Sequence, residues 1–393
     1  MNTPLLVKKS FGIYFHIPYC IQRCTYCDFA TYEQTQIMPP SAYTTLVLKE
    51  MDLRKHFYAP QVLDTIYFGG GTPSLVNPQN ILHMVEGLEK HGFTRGPGTE
   101  MTLEINPATL NVEKMDAYLS LGFNRFSVGA QTFDDRLLKK VRREHTATQT
   151  RDTLAFLKSY SVNYSFDLLF GLPGQTIEGL QRDLEVVLDF RPQHISPYCL
   201  TVPESNPLWL GRPSDDTQVD MFDLITKTLM SAGYNQYEIS NFSLPGFESK
   251  HNSLYWQDQE WWGLGLSSHS YSKQTRWGIR YWNPRSIADY EKQISSSEVC
   301  YSPLELPESQ FENLEKHQAL TDYCHTSLRM LAGLDLHQLE LKFDSGVSHQ
   351  VSDICKKLVA RGWLMDTPQG FALTQTGVVL SNQVFLELTF SAA

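Results

Sequence analysis

Between residues 12 and 235 two hydrophobic patterns alternate along the chain. Short runs rich in aromatic and β-branched residues read as strands: "GIYFHI" (12–17), "DTIYFGG" (64–70), "MTLEIN" (101–106), "NRFSVG" (124–129), "YSFDLLFG" (164–171) and "HISPYCL" (194–200). Between them, apolar residues recur at helical spacing in "AYTTLVLKEMDLRKHF" (42–57), "PQNILHMVEGLEKH" (78–91), "VEKMDAYLSLG" (112–122), "DDRLLKKV", "TRDTLAFLKSY", "IEGLQRDLEVVLDF" (177–190) and "QVDMFDLITKTLMSAG" (218–233). Proline opens the second of these helices and glycine closes the third, as helix ends favour. Six strand–helix units predict an α/β fold with a parallel sheet and right-handed crossovers. Two architectures fit, a doubly wound sheet and an incomplete (β/α) barrel, and in both the ligand lies at the carboxyl ends of the strands.

The period lapses over 235–300, where Trp, Tyr, Ser and Asn concentrate, most densely in "HNSLYWQDQEWWGLGLSSHSY" (251–271). From about residue 316 two helical stretches and a short hairpin around "PQG" predict a winged-helix-like module. The expected organisation is therefore a βα region over 1–235, an aromatic-rich connecting region over 236–305 and the C-terminal module over 306–393.

With 393 residues, 41% of them hydrophobic and 19% charged, the chain has material for a sizeable core. A net charge of −10 argues against a nucleic-acid binder. The basic run "KKVRREH" (Lys139 to His145) reads as a solvated helix face. No apolar run approaches the ~18–20 residues of a membrane span, and "MNTPLLVKKS" at the start lacks the pattern of a signal peptide. A cytoplasmic location follows. Of the seven cysteines, Cys199, Cys300, Cys324 and Cys355 are scattered and read as small buried hydrophobes.

The other three, Cys20, Cys24 and Cys27, stand as C-x3-C-x2-C directly after the first strand. Thiolates packed into one short loop converge on a soft metal. A structural zinc site wants four ligands, and only one C-x2-C pair exists here; His16 is a conceivable fourth, though its place on the strand suits packing or hydrogen bonding better. A cubane [4Fe–4S] cluster held by three cysteines keeps one iron free of protein, and an open position signals catalysis or cofactor binding.

This motif resembles that of the radical S-adenosylmethionine (radical SAM) superfamily. The resemblance implies that the open iron takes the amino and carboxylate groups of S-adenosylmethionine (SAM). It further implies that reductive cleavage yields a 5′-deoxyadenosyl radical, which a partial (β/α)6 barrel would enclose. "YFHIPYC", "YFGGGTPS" (67–74), "EINP" (104–107), "GAQTFDD" (129–135), "DLLFGLPGQT" (167–176) and "HNSLYW" (251–256) together are similar to the HemW haem-chaperone family, over roughly residues 10–380. By that resemblance Tyr14, Tyr26, Gly70, Gly71, Thr72, Glu104, Gln131, Arg143 and Asp167 contact SAM or the cluster. The glycines at the end of the second strand would also let backbone approach a ligand. The implied function is to bind haem and pass it to acceptor proteins, membrane respiratory enzymes among them.

The neighbouring enzyme branch performs anaerobic oxidative decarboxylation of coproporphyrinogen III and carries a further cysteine two residues after the third. Phe29 stands there in this chain, which favours the chaperone reading over the dehydrogenase. His251 offers an imidazole for haem iron, with Tyr255, Trp256, Trp261 and Trp262 to wall the macrocycle. The same residues also suit core packing, with His251 hydrogen-bonded inside it. His269 is a second candidate, in "GLGLSSHS" where the family often has "GLGAGAHS". No C-x-x-C-H motif for thioether-linked haem is present.

Overall fold

The computed structural model describes residues 9–392 and sets the six strands side by side in chain order. They are β1 (Phe11–Ile17), β2 (Val62–Gly70), β3 (Thr94–Ile105), β4 (Arg125–Gln131), β5 (Asn163–Phe170) and β6 (His194–Cys199), each parallel to the next. That order chooses between the two architectures. A doubly wound sheet reverses direction at a switch point; a sheet that steps always to the same side keeps its right-handed crossovers on one face and curls as a barrel does. The fold is a partial (β/α)6 barrel.

The helices form for the reasons legible in sequence. In α2 (Pro78–Lys90) the Asn77 side chain caps Gln79 N–H, Pro78 occupies the first turn, and Ile81, Met84, Val85 and Leu88 make one buried stripe. Thr146 and Gln149 form a reciprocal capping box at the start of the helix Ala147–Ser159. The first helix, α1, runs Pro40–Arg54.

The stretch without a period is not a linker. It adds strands to both edges of the sheet, whose full order is twelve strands long. Beside β6 lie β7 (Asn235–Glu238) and β8 (Asn241–Ser243), both antiparallel. At the other edge β9 (Glu260–Leu264) pairs parallel with β1, Tyr14 opposite Gly263, and continues through antiparallel β10 (His269–Ser272), β11 (Ile279–Trp282) and β12 (Phe311–Asn313). Between them the short helix Lys250–Trp256 carries the "HNSLYW" motif, and the helix Ile287–Ser296 packs on α1.

The C-terminal region has the element order of a winged helix: helix Lys316–Arg329, a two-residue strand, helices Leu336–Lys342 and Ser345–Ala360, then the hairpin Leu364–Asp366 and Gly370–Leu373 around "PQG". It has its own apolar core, with Leu320, Leu328, Val351 and Leu358 in it. Cys324 and Cys355 are buried there as expected. Cys199 is exposed, its Sγ 3.1 Å from Gln218 Oε1, and Cys300 is half-buried, so neither is the buried hydrophobe anticipated. Residues 1–8 of the N-terminal stretch lie outside the described residues. Among the described residues no helix is long and apolar enough to cross a membrane.

Candidate functional site

The loop after β1 carries the three thiols and turns tightly, Cys27 N–H donating to Cys24 C=O at 3.2 Å. Each sulfur has polar groups close to it. Thr72 Oγ1 is 4.0 Å from Cys20 Sγ, Thr31 Oγ1 is 3.9 Å from Cys27 Sγ, and Arg143 Nη1 donates to Cys24 Sγ at 3.5 Å. Burial pushes the Cys20 thiol up to about 11 and raises Cys27 as well. Raised in this way the two thiols keep their protons by themselves, and a metal centre bound to them would hold them as thiolates. Among the described residues no three His, Cys, Asp or Glu side chains group closely enough for a single metal ion. His16 is also committed elsewhere: its Nε2 donates to Ala30 C=O at 2.9 Å and its Nδ1 accepts from Tyr14 O–H at 3.1 Å.

The glycines after β2 act on this loop. Gly71 N–H donates to Ile17 C=O at 2.8 Å and Thr72 N–H to Tyr19 C=O at 2.7 Å, stitching the end of β2 to the residues before Cys20. A Cβ on Gly71 would meet Tyr19 O at 2.6 Å, and one on Gly70, at φ 107°, would meet the His16 ring at 2.6 Å. Close backbone approach is therefore real here, and its partner is the cysteine loop.

From the sulfurs a polar chain leads into the barrel mouth. Arg143 Nη2 donates to Asn106 Oδ1 at 2.7 Å and to Gly129 C=O; Asn106 Nδ2 donates to Thr72 Oγ1 at 2.9 Å. Arg143 Nε is buried with no hydrogen-bond partner. Arg143 thus leaves the solvated face expected of "KKVRREH": the helix Asp135–Lys140 ends before it, Lys139, Lys140 and Arg142 stay outside, and His145 is buried on Ala130 C=O. Gln131 has a left-handed φ of 71° at a register shift that ends β4. Tyr26 packs beside Leu137 and Val141, and burial raises its phenol.

Glu104 and Asp167 are the inner-face carboxylates. Glu104 accepts from Tyr67 O–H at 2.7 Å and from Gly70 N–H at 2.9 Å, and burial still lifts it to about 7. Burial lifts Asp167 to about 6, with Ser127 Oγ 3.5 Å from both its oxygens. Such perturbed carboxylates in a cleft mark a place where an incoming cation would restore ionisation. Asn106 and Tyr67 escaped selection from sequence, whereas His16 takes the hydrogen-bonding role its place on the strand suited. Asn106 lies within "EINP" and Tyr67 within "YFGGG", yet nothing in residue type alone turns them toward the site.

A cavity of about 760 Å³ opens above this layer, between the barrel mouth, the added strands and the helix Lys316–Arg329. Tyr14, Tyr67, Tyr255, Trp256, Trp261 and Tyr323 form much of its wall, and Asp28, Phe29 and Ala30 bring the cysteine loop to its edge. Trp262 does not reach it; it is fully buried in the barrel core against Tyr58 and Phe93. His251 borders the cavity but is 1% exposed, and both ring nitrogens are engaged, Nδ1 with Thr65 Oγ1 and Nε2 with Tyr255 OH, each at 2.7 Å. Burial lowers it to about 3, so it is neutral. His269 is exposed on the same cavity, its ring stacked on Trp282 at 5.8 Å.

A partial barrel with three thiols on the loop after its first strand is the signature of radical SAM proteins, and the family model described as "Radical SAM superfamily" matches residues 14–187. The chain also has the fold of coproporphyrinogen III oxidase (HemN) from Escherichia coli, with a TM-score of 0.82 over 97% of this chain and 90% of that one, at 20% identity. It is 33% identical to the heme chaperone HemW of Lactococcus lactis, over 97% of each chain, and 30% identical to that of Bacillus subtilis, over 95% of this chain and 97% of the relative. The chain belongs to the HemW heme chaperone family.

Proposed function

We propose that this protein binds haem in the 760 Å³ cavity and passes it to haem-dependent acceptor proteins. The observation that carries the reading is the make-up of that cavity. Its aromatic wall suits a flat apolar macrocycle. Arg280 and Arg285 on the same cavity suit the carboxylates of the porphyrin edge. The helix Lys316–Arg329 forms one side, so the C-terminal module would gate entry and release. The names of the relatives agree, and membrane respiratory enzymes are among the acceptors that reading implies.

Beside the cavity, Cys20, Cys24 and Cys27 would hold a [4Fe–4S] cluster, and the donor set fits it: three sulfurs on one loop, with Thr72, Thr31 and Arg143 as outer-shell donors. Glu104, Asp167, Gln131, Tyr14, Tyr26 and the Gly70–Gly71–Thr72 turn would hold SAM. When bound, the reduced cluster supplies one electron to the sulfonium. The carboxylates of Glu104 and Asp167 would take the amino and ribose ends, and Arg143 would stay hydrogen-bonded to Cys24 Sγ.

Anaerobic reconstitution followed by separate additions of haem and coproporphyrinogen III tests the proposal. Haem retained through gel filtration, with no decarboxylated product, is expected. Turnover of coproporphyrinogen III with no haem retention would establish the dehydrogenase reading instead. Replacing Cys24 by Ala should abolish the cluster absorbance and leave haem retention in place.

A further inference from the structure

The family-like motif "HNSLYW" presents its residues to the cavity in a fixed order of depth. His251 is the deeper. Its backbone N–H donates to Glu100 Oε1 at 3.0 Å, and its Nδ1 is 2.7 Å from Thr65 Oγ1 on β2. Its remaining nitrogen, Nε2, ends on Tyr255 O–H at 2.7 Å. Tyr255 is four residues on, one helical turn away on the same face of the helix Lys250–Trp256. It is half-buried, lines the cavity, and stands edge-on to His251 (5.2 Å, 81°) and to Trp261 (4.7 Å, 75°). No metal in the cavity can reach His251 Nε2 without first displacing the phenol in front of it.

Given the haem-binding reading above, on which this rests, we infer that the protein ligand to ferric haem iron is the Tyr255 oxygen, and that His251 positions and hydrogen-bonds it. Tyrosine is an established axial ligand for ferric haem in other folds. The hydrogen-bond chain is complete with a neutral imidazole: Thr65 O–H donates to Nδ1, and Nε2–H donates to the Tyr255 oxygen. On ligation an oxygen lone pair of Tyr255 forms the bond to Fe(III), the O–H bond breaks, and the proton leaves to water through the cavity mouth. The iron stays ferric and no electron moves. The Nε2–H then supports the developing phenolate as an outer-shell donor supports other metal ligands. The competing imidazole is His269, whose ring has no hydrogen bond among the described residues.

The test uses the full-length protein with its cluster reconstituted anaerobically, titrated with ferric haemin and followed by visible absorption and electron paramagnetic resonance. The wild type should give a high-spin ferric spectrum with the charge-transfer band of an oxygen ligand. Tyr255→Phe should lose that band and retain haemin poorly. Tyr255→His should bind haemin again with an imidazole-type spectrum, which shows the position and not the fold to be responsible. His251→Gln should keep an oxygen-ligand spectrum with a shifted band and bind about tenfold more weakly, and His269→Ala should match the wild type. An unchanged spectrum in Tyr255→Phe, or loss of the ligand signal in His269→Ala with Tyr255→Phe unaffected, overturns the assignment while leaving haem binding intact. A wild type that leaves haemin unbound overturns the haem reading itself, and this assignment with it.

Discussion

Glu50 lies on α1, far from the cysteine loop in sequence, yet it holds the added strands to the barrel. Its Oε1 accepts from Arg54 Nη1 and Asn283 Nδ2, both at 2.7 Å; its Oε2 accepts from Gly265 N–H at 2.8 Å and from Tyr290 O–H at 2.7 Å. Gly265 follows β9, Asn283 follows β11, and Tyr290 lies in the helix Ile287–Ser296, so one carboxylate ties two of the added strands and that helix to α1. Glu50 and Arg54 are 0% and 3% exposed. Glu50→Gln keeps the volume and turns one oxygen into an NH₂ group that faces two donors. It also leaves the Arg54 guanidinium buried without its negative counter-charge, facing neutral acceptors such as Asn283 Oδ1 at 2.6 Å. Breaking one side of a buried ion pair costs ~3–5 kcal/mol, and two lost acceptor sites for buried donors fall in the same range. We expect a loss of about 4 kcal/mol, a large part of a stability of ~5–15 kcal/mol. Anaerobic urea unfolding followed by tryptophan emission reports it, because Trp256, Trp261, Trp262, Trp277 and Trp282 all lie in or beside the affected strands. Adding Arg54→Met should recover part of the loss, since the orphaned charge is then gone. A loss below about 1 kcal/mol for Glu50→Gln, or a double variant weaker than the single one, would refute the reasoning.

The remaining expectations concern the site. The Glu104 carboxyl is raised by burial from 4.5 to about 7, so the native state holds its proton where the unfolded chain has released it. Its stabilising share is complete below about pH 4.5, is lost as pH rises to about 7, and is flat above; the swing is on the order of 2 kcal/mol once cavity water screens part of it. Urea midpoints across that window should show the slope in the wild type and a flatter profile in Glu104→Gln. SAM binding should release a proton over the same window, measurable by calorimetry in buffers of different ionisation enthalpy. Gly71→Ala drives a Cβ into Tyr19 O and Ile17 O; it should lower cluster occupancy per chain, read from bound iron and sulfide, with the far-ultraviolet circular dichroism unchanged. Arg143→Met removes the donor to Cys24 and the link to Asn106. It should make the cluster more readily lost to a chelator, whereas Arg143→Lys should restore part of the resistance.

Local chemistry made much of this protein readable in advance. The alternation of strand and helix, the capping residues and the three-cysteine spacing are short-range facts, set by periods of two and 3.6 residues and by what thiolates bind. They placed the six barrel strands, the winged-helix order and the cluster loop. Glu104, Gln131 and Asp167 were singled out through the family resemblance, and the fold sets them in or at the end of β3, β4 and β5. The aromatic stretch was harder for a physical reason. Its strands are short, and β9 is held by pairing with β1 across about 250 residues, a contact no local period announces. Whether the six units curl or double back depends on strand order, which the same βα pattern leaves open. The depth order of His251 and Tyr255, the inward turn of Arg143 out of a basic run, and the service of Gly71 to the cysteine loop depend on which side chains the folded barrel brings within 3 Å. Those distances exist only once distant elements have packed. Sequence therefore determined what chemistry the chain can hold, and tertiary structure decided which polar and aromatic groups come together and at what depth.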